Sequence, residues 1–185
     1  MLEGRGGTPA DDAGSGQGVA HEAHTDDVDR IVAAWRRELP QLDVEPLHIL
    51  SRITRLARRL DLLRGAAFAE HDLEGWEFDV LSALRRAGEP YELSPGRLVT
   101  DTLVTSGTMT NRVNRLVRRG LVTRHTDPHD RRGALVRLTG EGRRVADAAI
   151  TDLVTREHAL LDALPVAERT VLADLLRRLS TPLEG

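Results

Sequence analysis

Four arginines within one short stretch are the residues of this sequence with the clearest chemical potential. Residues 105–120 have the sequence TSGTMTNRVNRLVRRG, which places the arginines at Arg112, Arg115, Arg118 and Arg119. An arginine on a helix can contact a guanine edge in DNA, pair with a carboxylate or remain solvated. The direction in which each side chain points therefore decides which role it can take.

One side of this helix is apolar and must pack on the rest of the domain, since successive residues turn by about 100°. Arg118 and Asn111 lie almost opposite that side. Asn114 and Arg115 flank the outward face. Arginine pairs with guanine and asparagine with adenine, so this face predicts contacts with double-stranded DNA, and the alternative is a charged helix that is only solvated. The apolar residues are Met109, Val113, Leu116 and Val117. The further predicted DNA contacts are Ser106, Thr108 and Thr110, to phosphate or base, and Arg119, to phosphate.

Arg112 lies at the border of the apolar side, which predicts a partly buried guanidinium. Such a group needs a carboxylate or a bound anion beside it. The best candidate partner is Asp79, within the apolar segment WEFDVL at 76–81. One interpretation is a structural Asp–Arg bridge. The other is a binding site for a small anion or aromatic acid, in which Arg112 supplies the charge and Asp79 moves when the ligand arrives.

The elements that position these side chains follow from the hydrophobic period and its breaks. Ser94 and Pro95 favour a helix start, because a side-chain oxygen caps free amides and proline needs no partner in the first turn. Gly120 favours a helix end, because it tolerates positive φ. The predicted helices cover 28–39, about 46–71, 75–87, the short segment from Pro95 through Val99, the arginine-rich stretch, and two segments after residue 140.

Two short β-prone runs, 121–126 and 134–139, flank the turn-rich linker DPHDRRG. The order helix, helix, turn, helix, hairpin predicts a mainly α fold with a small β-hairpin wing, the winged helix-turn-helix. Asp130, Arg131 and Arg132 lie at the hairpin tip, where arginine can enter an adjacent minor groove and Asp130 can brace it. The alternative is a plain polar turn.

The amino-acid composition excludes several kinds of function and binding site. The net charge of -3 hides an acidic start and a strongly basic stretch from Arg112 to Arg132, so DNA binding is compatible with it. The absence of cysteine excludes disulfides and thiolate metal sites. No apolar run approaches the length needed to cross a bilayer, which predicts a cytoplasmic protein without a membrane partner. The spacing of the seven histidines does not place three metal ligands together, so we expect no metal site. The sequence also lacks a glycine-rich phosphate-binding loop and a nucleophile motif, so we expect no cofactor and no catalysis.

The start of the chain differs from the rest. Residues 1–26 are rich in Gly, Ala, Asp and Ser and lack an apolar period, which predicts a disordered tail. A solvated leader and a functional tail are both compatible with this composition. The remaining residues, 27–185, are expected to form one domain.

The most specific segments resemble the MarR family of transcriptional regulators over about residues 46–180. They are SGTMTNRVNRL from Ser106, GLVTR from Gly120 and DPHDRRGALVRLT from Asp127. Within the family, an additional N-terminal helix with Trp35, the segment around Asp79, and Arg112 resemble the urate-responsive (HucR- and PecS-like) branch.

This resemblance implies a homodimer whose terminal helices interlock and whose two winged modules bind a pseudo-palindromic operator. The helical dimerisation region would comprise 27–72 and 141–185, and the winged helix-turn-helix 73–140. It also implies a ligand site formed by Trp35, Asp79 and Arg112, through which urate or a similar small anion releases a repressor from DNA. The alternatives are a regulator that answers another ligand, such as trans-aconitate or an aromatic acid, and a helical dimer that acts through protein contacts.

Overall fold

The computed structural model describes residues 25–128 and 133–181. These ranges contain seven helices and a small three-stranded sheet, and the predicted mainly α fold with a hairpin is confirmed. The elements are α1 Asp27–Glu38, α2 Glu45–Ala69, α3 Gly75–Arg86, β1 Glu92–Leu93, α4 Pro95–Thr102, α5 Ser106–Arg118, β2 Val122–Thr126, β3 Ala134–Leu138, α6 Gly140–Leu161 and α7 Val166–Ser180.

The described residues divide into two compact units, one that ends at Arg55 and one that begins at Leu56. In the described part of the first unit, α1 packs on the start of α2 through the buried side chains of Val28, Val32 and Val44. Asp26 caps α1, because its carboxylate accepts the Val28 and Asp29 N–H groups at 2.8 and 3.0 Å. Asp26 therefore belongs to the first helix, whereas the tail predicted for 1–26 otherwise lies outside the described residues, except for Thr25.

The second unit contains the helix-turn-helix and its sheet. The strand order is β1-β3-β2, and both pairs are antiparallel. In the hairpin Val122 lies opposite Leu138, and on the other edge Glu92 of β1 lies opposite Arg137. The sequence did not predict β1, because a strand of two residues is too short to have a period.

Local signals set the ends of the helices that carry the DNA-binding candidates. The Ser94 side chain accepts the Arg97 N–H at 3.2 Å and starts α4. The Thr105 hydroxyl accepts the Thr108 N–H at 3.3 Å and starts α5. Gly120 follows α5 with a φ of 72°, the conformation that the sequence predicted for it.

One core joins the end of α2, helices α3 to α6 and the sheet of the second unit. Its centre is aliphatic, as expected for a chain with few aromatic residues, and a stacked pair of Phe68 and Phe78 lies among its members. The α5 residue Val117 was predicted to join this core but is 41% exposed. The buried apolar side of α5 is therefore narrower than the helical spacing of its apolar residues predicted. The largest side chains that are fully buried in this core are Leu81, Leu84, Leu98, Met109 and Leu116.

The C-terminal helix α7 has no buried residue, although its sequence is rich in leucine and valine. Some of its exposed apolar side chains border a surface groove of about 360 Å³. The large exposed apolar residues of α7 are Val166, Val171, Leu172, Leu175, Leu176 and Leu179.

No helix in the described ranges is both long and apolar enough to cross a membrane. The predicted division into a dimerisation region and a winged module stays a prediction.

Candidate nucleic-acid interface

Helix α5 is fixed in orientation by three buried side chains. Met109, Val113 and Leu116 are between 0% and 2% exposed. Because they recur at helical spacing, they hold one side of α5 against the core and turn the other side outward. The helix therefore presents a defined polar surface to solvent.

The outward side of α5 carries Asn111, Asn114 and Arg118, all exposed. Across residues 25–128 and 133–181, none of the three makes a side-chain hydrogen bond or an ion pair. Amide and guanidinium groups without internal partners can contact base edges without breaking an existing contact. The three side chains are exposed, as the sequence predicted, and their contacts with DNA stay predictions.

Arg115 is held by helix α3 rather than pointing freely outward. Its Nη2 donates to Glu74 Oε1 at 2.5 Å, and its guanidinium lies 4.7 Å from the centre of the Trp76 ring. The other carboxylate oxygen of Glu74 accepts the Trp76 indole N–H at 2.7 Å. The predicted base contact of Arg115 therefore requires the side chain to leave this position.

Arg119 is part of the fold, and its predicted phosphate contact stays a prediction. Its Nη1 donates to Glu77 Oε2 at 2.5 Å, and its Nη2 donates to the Asp72 carboxylate and backbone oxygen at 2.7 and 2.6 Å. Glu77 is 1% exposed and also accepts the Glu74 N–H at 3.0 Å. Because a buried carboxylate requires its counter-charge, Arg119 is committed to connecting the end of α5 to the start of α3.

Arg112 is half-buried, as its position at the border of the apolar side predicted, but its neighbour is the aromatic ring of Trp76. The guanidinium lies 5.5 Å from the centre of the Trp76 ring. Among the described residues Arg112 and Asp79 do not form an ion pair within 4.0 Å, so the direct bridge is absent here. The indole face attracts the cation and supplies part of the stabilisation that the sequence assigned to a carboxylate.

Asp79 lies three residues after Trp76 on α3, and its residue surface is exposed. The pKa of Asp79 nevertheless lies above its ordinary value, because neighbouring protein atoms remove part of the water around the carboxylate. Arg112, and after it Arg86 and Arg64, act in the opposite direction on this pKa. Asp79 thus faces a cationic neighbourhood without a direct ion-pair partner among the described residues.

The hydroxyl residues at the N-terminal end of α5 are exposed. The Thr108 hydroxyl lies 2.9 Å from that of Thr105, and the Thr110 hydroxyl donates to the Ser106 backbone oxygen at 3.0 Å. Since a hydroxyl has only one hydrogen to donate, Thr110 must rotate before it can donate to a phosphate. The DNA contacts predicted for Ser106, Thr108 and Thr110 stay predictions.

Two groups of predicted residues are not tested by this geometry. Asp130, Arg131 and Arg132 at the hairpin tip lie outside the described residues. Trp35 lies on α1 in the first unit and is 46% exposed, so its place in a ligand site stays a prediction. Across 25–128 and 133–181, no group of three or more acidic or histidine side chains is arranged to hold a metal ion.

Two acidic residues that were not predicted from the sequence, Glu74 and Glu77, hold two of the four arginines. A signal for Glu77 was present. It precedes Val80, Leu81 and Leu84 at helical spacing, so it occupies an apolar position of α3 and had to be buried. Glu74 gave no comparable signal, because it is exposed and precedes the helix.

Comparisons with known proteins agree with this arrangement. A family model described as the MarR family matches residues 71–133. The HTH-type transcriptional regulator PecS of Dickeya dadantii is 34% identical over 157 residues, which cover 85% of this chain and 95% of PecS.

Two solved structures extend the similarity to the fold. A cysteine-to-serine variant of MarR from E. coli, complexed with operator DNA, matches with a TM-score of 0.61 and 26% identity, over 78% of this chain and 96% of that chain. BpsR of Bordetella bronchiseptica, whose DNA binding is regulated by 6-hydroxynicotinic acid, matches with a TM-score of 0.55 and 30% identity, over 70% and 98%.

Proposed function

We propose a function for this chain on the premise that it belongs to the MarR family of transcriptional regulators, in its PecS-like branch. The proposed function is that of a repressor, which leaves a pseudo-palindromic operator when urate or a related small anion binds. The family consists of DNA-binding regulators and not of enzymes. The observation that carries the proposal is the division of α5 into a buried apolar side and an outward side with free asparagines and Arg118.

The outward side suits the major groove. An α-helix fits that groove, in which arginine contacts guanine and asparagine contacts adenine. We assign the base contacts to Asn111, Asn114 and Arg118. The wing residues Arg131 and Arg132 are proposed to enter the neighbouring minor groove.

A second copy of the chain is the proposed partner of α7. The exposed leucines and valines of this helix would otherwise lie in water, which is unfavourable for so large an apolar surface. A symmetric dimer presents two copies of α5, and such proteins bind operators with two related half-sites.

The proposed effector site lies beside Asp79 and Arg112. An anion can pair with the guanidinium of Arg112, while its negative charge repels the Asp79 carboxylate. Because Asp79 shares α3 with Trp76, and Trp76 contacts both Arg112 and Arg115, a movement of α3 would be transmitted to α5. Arg112, Arg86 and Arg64 all act on Asp79, which favours an anionic effector.

A small aromatic acid is the second candidate effector. It shares the negative charge that suits Arg112, and its ring can stack on the exposed part of an aromatic side chain. The regulation of BpsR by 6-hydroxynicotinic acid favours this class.

DNA binding is tested by titrating the upstream intergenic region and a scrambled duplex of equal length with the protein at several salt concentrations. A repressor gives a tight complex with the first duplex only, and the complex weakens as salt rises because phosphate contacts release counterions. A helical dimer that acts through protein contacts would give no specific complex.

The effector is tested on that complex with urate, xanthine, salicylate, trans-aconitate and 6-hydroxynicotinic acid. Release by urate that is lost in Asp79→Asn and Arg112→Ala supports the site. Asp174→Asn, which removes an aspartate from α7, is the matched control and should be released as the unmodified protein is. Unchanged release in both site variants would place the effector elsewhere.

A further inference from the structure

We propose that Glu74 is a positioning residue that competes with operator DNA for Arg115. In the free protein the Glu74 carboxylate holds the guanidinium, and on the operator a base edge replaces the carboxylate. This inference rests on the proposed DNA-binding function and adds to it a residue that sets how tightly the operator is bound.

The contact has two components that both hold Arg115 against α3. Arg115 Nη2 lies 2.5 Å from Glu74 Oε1, and the guanidinium lies over the Trp76 ring at 4.7 Å. The Trp76 indole donates to the other oxygen of Glu74 at 2.7 Å, so the carboxylate cannot rotate freely. The three side chains therefore form a closed set of contacts.

The Glu74 carboxylate is charged under physiological conditions. Its pKa lies below the ordinary value, first because Trp76 donates a hydrogen bond to it and then because Arg115 does. Neutral pH is well above a lowered carboxyl pKa, so the contact is a charge pair at neutral pH. DNA must therefore displace an ionised group to reach Arg115.

Displacement is feasible because the contact is at the surface. The side chains of Arg115 and Glu74 are 50% and 57% exposed, and exposed ion pairs are weak. The contact of Arg119 differs, because the side chain of its partner Glu77 is only 2% exposed and cannot be replaced without disturbing the core. Only the first of these two arginines is thus free to exchange.

A released Arg115 would join the proposed DNA-contacting residues. Arg115 lies four residues after Asn111 and three before Arg118, so these side chains are neighbours along one side of the helix. With Arg115 held by Glu74, that row has a gap between two free polar side chains. Release of the arginine would fill the gap with a guanidinium.

The test measures affinity for the operator and for a scrambled duplex in four proteins: unmodified, Glu74→Gln, Arg115→Ala and the double variant. Glutamine removes the charge but keeps an oxygen for the Trp76 indole. Glu74→Gln should bind the operator about threefold more tightly, the gain expected from removing one exposed ion pair. The scrambled duplex should show a smaller gain, and the gain on the operator should vanish in the Arg115→Ala background.

Glu74→Asp supplies a second variant that keeps the charge but shortens the side chain. It should also tighten operator binding, because the shorter carboxylate reaches Arg115 less well. Thermal melting of each variant verifies that the fold is kept.

Three results would overturn the inference while leaving the proposed function in place. They are unchanged operator affinity in Glu74→Gln, equal gains on both duplexes, and a gain that persists without Arg115. The last two would mean that loss of a negative charge near DNA is the whole effect. If the unmodified protein lacks a specific complex, the proposed function fails and the inference falls with it.

Discussion

Arg119 and Glu77, 42 residues apart in sequence, form an ion pair with 2.5 Å between Nη1 and Oε2. The Glu77 side chain is 2% exposed, and the Arg119 side chain is 32% exposed. This pair connects the last turn of α5 to the first turn of α3 and, through Asp72, to the loop before α3. The orientation of α5, the proposed DNA-binding helix, thus depends on a charge pair whose carboxylate is buried.

Replacement of Arg119 by alanine should destabilise the fold. Glu77 would remain buried without its counter-charge, which costs about 3 kcal/mol, the lower end for a buried pair because the arginine is partly exposed. Urea unfolding at neutral pH measures this loss. Arg115→Ala, which breaks an exposed pair on the same helix, is the matched control and should change stability little. Equal losses in both variants would contradict the structural role of Arg119.

Replacement of Arg118 by alanine should weaken operator binding without affecting the fold. One bidentate base contact contributes about 1–3 kcal/mol, so the expected loss is about 5- to 150-fold on the operator and much less on a scrambled duplex. Fluorescence anisotropy with both duplexes measures the difference. Arg178→Ala removes the same charge from α7 and should leave the affinity ratio unchanged. Undiminished operator binding by Arg118→Ala would argue strongly against a base contact at this position.

Asp79→Asn should be more stable than the unmodified protein at neutral pH. The pKa of Asp79 is raised above 3.8 by partial desolvation, so the fold disfavours its ionised form. The stability lost to ionisation appears as pH rises from 3.8 through the raised pKa, and below 3.8 the advantage of the variant should vanish. Thermal unfolding between pH 3 and 7 measures it. The pKa of Asp152 is lowered, chiefly by Arg156, so Asp152→Asn should change stability in the opposite direction.

Leu175→Glu should convert the proposed dimer to monomers. Leu175 is 51% exposed and borders the apolar groove on α7, where a charge would lose its water in an interface. Sedimentation velocity measures the change, and operator affinity should fall with it. Arg177→Glu, on another side of the same helix, should leave the dimer intact. A Leu175→Glu dimer would exclude this surface as the interface.

Gly142→Ala should destabilise the contact between α6 and the start of the wing. A Cβ at Gly142 would lie 1.9 Å from the Leu121 backbone oxygen and 2.9 Å from its carbonyl carbon. Backbone cannot yield as a side-chain end can, so the cost is about 1–3 kcal/mol. Gly140→Ala in the same turn has nothing within 4 Å of its new Cβ and should be neutral or slightly stabilising. Calorimetric melting of both variants tests the contrast.

The sequence by itself determined the order of the helices and the hairpin strands, and most of the buried side of α5. Ser94, Thr105 and Gly120 act on the backbone within a few residues of themselves, so their effect does not depend on the rest of the fold. The spacing of Met109, Val113 and Leu116 likewise defines a single apolar side wherever the helix lies. These are local properties, and they sufficed to predict a helix-turn-helix followed by a hairpin.

Only the tertiary structure decided which partner each arginine has. From the sequence, Asp79 was the predicted partner of Arg112. In the fold, Trp76 lies beside both Arg112 and Arg115. Arg119 pairs with Glu77. An arginine side chain is long and its guanidinium can pair with any acid or ring within reach, so the choice depends on how α3 and α5 cross. The direction of a side chain on its helix was therefore predictable, and its partner on another helix was not.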